Sequence, residues 1–433
     1  MGIGKTATAI RAMDLVLAKR VIIVVPASIR SNWVKEIAKF SYHPRRVCVG
    51  RSRHDFVAFL LDRFDVLVAS YEGITAWADE IRRQVLVGTN PSVDLMIIDE
   101  SHYLKNPQTA RTKAIYGEAN DFGLVSVCRR VWALTGTPTP NDPVDIYGFL
   151  RMTRAFNLSH SAFVNRYFLK RKTAFGSRQT YREDMLPELK QLVTNNAIRR
   201  MKKEVGFQLP PIFLHSLYLD GDCTEVTSLL KEHPDLENSI KQAVEEGGLS
   251  HLNHPHIATL RRLVGQAKAV PYAKLLIEEV QSDPESKRVV MGIHRDVLSG
   301  LLVALEQKGI SAVLVNGGTP DKLKDVYVES FQTDPNCRVF IGNILSAGTG
   351  LTLTASCEID MLESDWTPAN NAQALMRIHR IGQTRNVSAR FITLSQSVDD
   401  AVLRVVREKT HAIAALEGEA MNATPLDTHN ISV

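Results

Sequence analysis

The stretch Asp94–His102, "DLMIIDESH", decides the architecture. Its Leu-Met-Ile-Ile run is short, continuous and apolar, and it stops abruptly at Asp99-Glu100. A run of this kind suits a strand buried on both faces of a parallel sheet. The same design recurs at 20–28 ("RVIIVVPAS"), 65–73 ("DVLVASYEG") and 130–138 ("RVWALTGTP"), with helical patterns such as 29–40 ("IRSNWVKEIAKF") between them. Strand alternating with helix predicts a doubly wound α/β domain over 1–150. In such folds the functional side chains gather at the carboxyl ends of the strands, where the polar endings of all four runs fall.

The rhythm returns over 269–411. There 287–294 ("KRVVMGIH"), 310–318 ("ISAVLVNGG"), 337–344 ("CRVFIGNI"), 358–365 ("EIDMLESD") and 388–394 ("SARFITL") read as strands, and 397–416 as a closing helix. Between the two α/β domains, 151–268 carries many charges and helical patterns such as 186–205, with one strand at 208–220 ("QLPPIFLHSLYLD"). The plan is two α/β domains, a largely helical insert or linker, and a tail over 412–433.

Bulk properties exclude several classes. The chain has 433 residues, 44% hydrophobic and 23% charged, ordinary values for a globular protein. The net charge of +5 permits a polyanionic partner without demanding one. Five dispersed cysteines, none in C-x-x-C, point away from a metal or redox motif and suit reduced thiols. No apolar run approaches the ~18 residues of a membrane span. The N-terminus lacks a signal-peptide layout, so the protein is expected to stay in the cytoplasm of the cell where it is made.

Four stretches carry chemistry. "MGIGKT" ends in Gly4-Lys5-Thr6, the last three positions of a phosphate-binding loop whose first two positions would fall before Met1. There Gly2 and Gly4 would let backbone N–H groups cradle phosphates, Lys5 would reach the β/γ-phosphates, and Thr6 would ligate Mg²⁺. Alone, it is also readable as an accidental Gly-rich start. Asp99 and Glu100 fit a metal-holding aspartate and a water-activating glutamate. A solvated strand end is the alternative, weakened by the "GKT" some ninety residues earlier. Thr135, Gly136 and Thr137 in "ALTGTPTPN" suit a hinge sensing the γ-phosphate, or a plain turn. Arg377 and Arg380, three apart, are expected on one helix face, as arginine fingers or as a solvated basic face.

In this order the stretches resemble the superfamily-two helicase-like ATPases, Swi/Snf-type branch. "MGIGKT" is similar to motif I and "VVPASIRSNWVKEIAKF" to motif Ia. "VASYEGI" resembles the motif that follows Ia, "DESH" motif II and "LTGTPTPN" motif III. "MGIHRDVLSGL" is similar to motif IV, and "VNGGTP" to its neighbour. "ILSAGTGLTLTAS" is similar to motif V, and "DWTPANNAQALMRIHRIGQ" to the most specific motif of all. The resemblance spans about residues 1–411. It implies two RecA-like lobes hydrolysing ATP with Mg²⁺ in the cleft between them and stepping along duplex DNA.

By resemblance, Asp99, Glu100, Gln373, Arg377 and Arg380 are catalytic. Gly2, Gly4, Lys5, Thr6, Gly348 and Gly350 bind nucleotide, with Thr6 and Asp99 on the metal. His102, Thr135, Gly136 and Thr137 couple motifs II and III. Ser28, Asn32, Asn316, Gly317, Ser346 and Thr349 contact DNA, largely independently of sequence. The basic runs Arg166–Lys172 and Arg199–Lys203, expected in the helical insert, could grip DNA or be solvated faces. The short section between motifs III and IV resembles the compact distant branch with annealing helicases and bacterial or phage homologues, so a prokaryotic or phage source is expected.

Three departures stand out. Motif I lacks its leading Asp-Glu, the strand before it and an adenine-contacting segment, so Met1 is expected to be an internal methionine. Leu375-Met376 replaces the usual Glu-Asp, and Met291-Gly292 stands where an aromatic or Cys is common. The expected function is a duplex-DNA translocase for repair, fork remodelling or strand annealing. The alternatives are a strand-separating helicase of the same superfamily, or a catalytically inactive DNA-binding fragment.

Overall fold

The computed structural model describes residues 4–88, 92–118, 121–136, 143–173, 176–198, 209–245, 254–347, 350–395, 397, 399–400, 403, 406 and 421–422. The chain divides into two compact units, one spanning Gly4–Arg199 and the other built mainly from Arg200–Val433.

The first unit carries a five-stranded parallel sheet. Its strands are β1 (Val21–Val25), β2 (Val47–Gly50), β3 (Val66–Ser70), β4 (Val93–Asp99) and β5 (Cys128–Leu134), in the order β2-β3-β1-β4-β5. All five residues of β1 are buried, because helices cover both faces of a parallel sheet. Helix α1 (Lys5–Leu15) packs Ile10 and Met13 onto one face, against Ile23 and Ile97. Helix α2 (Arg30–Phe40) buries Trp33 and Ile37 in the same cluster. Each such side chain, fully buried, contributes roughly 1.5–3 kcal/mol. Asp14, buried on α1, is stapled by Arg45 at 2.6 Å and by the Ser41 hydroxyl at 2.9 Å.

The second unit has a seven-stranded sheet. It comprises β8 (Ile212–Leu219), β9 (Arg288–Gly292), β10 (Ala312–Val315), β11 (Val339–Asn343), β12 (Glu358–Met361), β13 (Val387–Leu394) and β14 (Met421–Asn422), in the order β10-β11-β9-β12-β13-β8-β14. A buried ionic network ties β9, β12 and β13 to the long helix Ile257–Ser282. Arg390 bonds Asp360 at 2.7 Å and Glu279 at 2.7 Å, and the Tyr272 hydroxyl donates to Asp360 at 2.7 Å. Burial works against the Asp360 charge, yet Arg390 and Arg288 hold its carboxyl below the usual range.

Two doubly wound parallel-sheet lobes are therefore present, as expected, but the intervening section differs. Residues 151–268 do not form one helical insert. The part up to Arg199 belongs to the first unit, and the part from Arg200 onward to the second. The strand expected at 208–220 is β8, paired in parallel with β13 inside the second sheet. The run Arg166–Lys172 is not helical throughout. Helix His160–Tyr167 passes directly into β6 (Phe168–Thr173), which pairs antiparallel with β7 (Gly176–Tyr181). Lys-Arg-Lys at 170–172 gives no apolar periodicity to choose between states. The pairing is set by aromatic anchoring at the ribbon's base. Arg199–Lys203 and most of the expected closing helix lie outside the described residues.

Candidate active site

The site begins at the end of β4. Asp99 is buried, and two donors hold its carboxylate. The Trp33 indole N–H donates to Oδ2 at 2.8 Å, and the Glu100 amide donates to Oδ1 at 3.0 Å. Burial, reinforced by the adjacent Glu100 carboxylate, pushes Asp99 up to about 6, while Lys5 and the Trp33 bond pull the other way. Lys5 starts α1, whose N-cap Gly4 sits at φ 82°. That left-handed entry suits glycine, and it leaves the first amides of α1 free of side-chain caps.

Glu100 itself is left-handed, with φ 51° and ψ 48°. For a non-glycine residue this costs of order 1–3 kcal/mol and persists only where the surroundings over-determine it. Tyr71 does so: its hydroxyl donates to the Asp99 carbonyl at 2.7 Å and to the Glu100 carbonyl at 3.2 Å. The Glu100 side chain is turned inward. Its Oε2 is buried and receives no well-formed hydrogen bond, with the His102 Nδ1 nearest at 3.3 Å. His102 Nδ1 also lies 3.2 Å from the Thr135 hydroxyl, at the end of β5. Burial, and then the Lys5 and Lys105 charges, push His102 down to about 4, so it is neutral near pH 7.

The structure thus brings Lys5, Asp99, Glu100, His102 and Thr135 together, with Thr6 in the first turn of α1 and Gly136 just beyond β5. Gly2, Thr137, Gly348 and Thr349 lie outside the described residues. Ser28 and Asn32 share the carboxyl edge of the same sheet, in the segment between β1 and Trp33. In the second unit, Asn316 and Gly317 follow β10 and Ser346 follows β11. A Cβ placed on Gly317 would stand 3.5 Å from the Ser346 hydroxyl, so these residues share one edge. Asn316 is committed to its own turn, accepting from the Gly318 amide at 2.9 Å.

One expectation is corrected. Arg377 and Arg380 do not lie on one helix face, because the helix Pro368–Leu375 ends before them. The Arg377 carbonyl accepts from the Leu353 amide at 2.9 Å, the Arg377 amide donates to the Ala374 carbonyl, and the Ile378 and His379 amides donate to the Leu375 carbonyl. Arg377 Nε donates to the Gln373 carbonyl at 2.9 Å and Arg380 to the Leu351 carbonyl at 2.9 Å. Gln373 is buried, both arginines are half-buried, and Gly350 has φ 74°. His379 is buried and bonds the Pro210 carbonyl at 2.7 Å.

Sequence reasoning assigned no role to four residues that build these sites. Trp33 and Tyr71 position Asp99 and Glu100. Asn371 clamps Asp365 through 2.8 Å and 2.6 Å bonds and so starts the helix that carries Gln373. Gln383 donates to the Ser356 carbonyl at 2.7 Å and accepts from the Thr384 and Arg385 amides, closing the arginine turn. Their only signal was their place inside quoted motifs.

A strand-end Asp-Glu pair, facing a lysine at a helix entered through a left-handed glycine, defines a phosphate-loop ATPase site on a RecA-like lobe. The comparisons narrow that class. The SNF2-related domain model matches residues 1–240 and the helicase conserved C-terminal domain model residues 272–382. The chain belongs to the SNF2-related family.

Curated relatives include the mouse DNA annealing helicase and endonuclease ZRANB3, 27% identical over 434 residues, covering 98% of this chain and 38% of that protein. Another is the Caenorhabditis elegans homologue of SWI/SNF-related matrix-associated actin-dependent regulator of chromatin subfamily A-like protein 1, 26% identical over 424 residues, covering 94% and 57%. The chain thus spans 38% to 57% of the length of these two relatives. Among solved structures, the Sulfolobus solfataricus SWI2/SNF2 ATPase core in complex with dsDNA matches at 19% identity with a TM-score of 0.39, covering 96% of this chain and 86% of that one.

Proposed function

We propose that this chain is the motor of a DNA-dependent ATPase that moves along duplex DNA without needing to part its strands, in repair, replication-fork remodelling or strand annealing. The observation that carries this reading is the Glu100 carboxylate. It is held in a left-handed backbone conformation with an unbonded buried oxygen, beside a second buried carboxylate that burial pushes up. Two such groups fit a cation and a water, and leaving them so disposed is costly otherwise.

Asp99 and Thr6 are the residues that would hold Mg²⁺, which when bound supplies charge neutralisation to the phosphoryl group. Lys5 and the free amides of α1 bind the phosphates. Glu100 orients the attacking water and takes its proton at a carboxylate oxygen. Neutral His102 links Glu100 to Thr135, so a change at the phosphates can reach the end of β5. Arg377 and Arg380 act on transition-state charge, as the family resemblance implies. Ser28, Asn32, Asn316, Gly317 and Ser346 offer small polar groups and backbone amides, which position phosphates without reading bases. The relative named as a DNA annealing helicase is in keeping with this.

The test is Glu100→Gln. ATP turnover should fall by roughly 10²–10⁴-fold, with duplex binding retained. Turnover unchanged by Glu100→Gln would overturn the assignment.

A further inference from the structure

A pair of stacked rings supports Glu100 from behind. Tyr71 is buried, and its hydroxyl donates to the Asp99 and Glu100 carbonyls. Its ring stacks on Tyr103, with centroids 5.4 Å apart and planes 12° from parallel. Aromatic pairs favour such an offset stack. The Tyr103 amide donates to the Glu100 carbonyl at 3.0 Å. Both members of the stack therefore hold the same carbonyl, one through its phenol and the other through its amide. The Tyr103 ring also meets the His102 ring, tilted by 44° at 5.2 Å.

Arg111 completes this arrangement. It lies in the short helix Ala110–Tyr116, and its guanidinium stands over the Tyr103 ring, 5.5 Å from the centroid. That is within the reach of a cation–π contact. Arg111 is half-buried, and its Nε is buried with no hydrogen-bond partner. Drawing a cation out of water is costly unless an opposite charge answers it. A methionine would fill the same space against Tyr103 without that cost, so packing alone does not explain the charge. The two rings lie in the field of an acid and of this cation together. Burial pushes both phenols up. The Asp99 and Glu100 charges add to this at Tyr71, and the Glu100 and Glu72 charges at Tyr103, while Arg111 opposes it at both. Lys5, by contrast, acts on Asp99 and His102. Each carboxylate of the pair thus has a cation on its own side of the site.

We propose that Arg111 is a positioning residue for ATP hydrolysis, acting on Glu100 through the Tyr103–Tyr71 stack. Its guanidinium clamps Tyr103 against Tyr71, and the two rings fix the left-handed backbone that turns Glu100 inward. The same charge favours the ionised carboxylate, the form that can take a proton from water. This rests on the reading of Glu100 as the base. It adds a cation from a helix outside the phosphate-binding loop.

The experiment measures steady-state ATP turnover of the full chain against pH, with saturating duplex DNA. The wild type is compared with Arg111→Gln, Arg111→Met, Arg111→Lys and Tyr103→Leu, and with Glu100→Gln as reference. Duplex affinity equal to that of the wild type shows that a variant is folded, and either charge-removing variant that passes is decisive. Arg111→Gln and Arg111→Met should lower kcat by ~10-fold near pH 7, with KM for ATP unchanged, since a misplaced base costs up to ~10²-fold. They should also move the acid limb of kcat upward by ~0.5–1 pH unit, less than the 1–3 of a cation in direct contact. Arg111→Lys keeps the charge but not the planar fork, so it should keep the wild-type limb with a smaller loss of kcat. Tyr103→Leu should lower kcat, again with KM unchanged. A raised KM with unchanged kcat, an acid limb that stays in place without the charge, or a limb that moves as far in Arg111→Lys would overturn the proposal. So would a Tyr103→Leu variant with the wild-type kcat. If Glu100→Gln abolishes turnover while the Arg111 variants match the wild type, this proposal fails alone. If Glu100→Gln leaves turnover unchanged, the reading of Glu100 as the base fails and takes the proposal with it.

Discussion

Asp99→Asn should make the first unit more stable while disabling it. Asp99 stands about two pH units above its ordinary 3.8, and burial is the largest cause. At ~1.4 kcal/mol per pH unit, the ionised carboxylate destabilises the fold by about 3 kcal/mol well above pH 6. The sign follows from linkage. A group bound to its proton more tightly in the folded state favours folding at low pH, and that advantage is lost as pH rises through 6. Asparagine removes the charge but offers one acceptor where the carboxylate has two, so either the Trp33 or the Glu100 donor goes unanswered. That costs about 1 kcal/mol. The net gain is on the order of 2 kcal/mol at pH 8 and smaller at pH 5, where much of the carboxylate penalty is already relieved. For a unit of this size the gain at pH 8 corresponds to a Tm rise of roughly 4–8 °C. Urea titrations at both pH values, read by tryptophan fluorescence, measure it directly, since Trp33 touches the carboxylate. Adding Mg²⁺ and nucleotide should reverse the order by stabilising only the wild type. A variant less stable at pH 8, or a difference that does not change with pH, would refute the electrostatic account of this site.

Two further outcomes follow from the same geometry. Trp33→Phe removes the donor to Asp99 Oδ2. It should cost ~1–3 kcal/mol and move the acid limb of the ATPase pH profile upward, measured by urea titration and by rate against pH. Gln383→Ala strands the Ser356 carbonyl and the Thr384 and Arg385 amides. It should lower the stability of the second unit by ~2–4 kcal/mol, read in a thermal melt, and Gln383→Glu should not restore it because a carboxylate cannot donate to Ser356.

Much of this protein was readable from residues alone because buried parallel strands advertise themselves. β1, β3 and β4 are unbroken apolar runs ending in functional residues, so both the sheet and the Asp99-Glu100 site could be placed. β2 was missed, since only alternate residues of "VCVG" are buried and the segment is short. The ribbon was missed because Lys-Arg-Lys has no periodicity, and what fixes it is aromatic packing at Phe163 and Phe168. The Trp33–Asp99 bond joins residues 66 positions apart, and no local pattern encodes it. Arg377 and Arg380 looked helical by spacing. The helix stops at Leu375, and the Leu353 amide, from a remote segment, takes the Arg377 carbonyl.

The central claim is that Lys5, Asp99 and Glu100 form a working, DNA-responsive ATPase site. Steady-state ATP hydrolysis by residues 1–433 tests it most directly, without DNA and with single-stranded, duplex and forked DNA, against Lys5→Ala. The account predicts turnover stimulated by duplex or forked DNA and abolished by Lys5→Ala. Hydrolysis no greater than that of Lys5→Ala under every condition would contradict it.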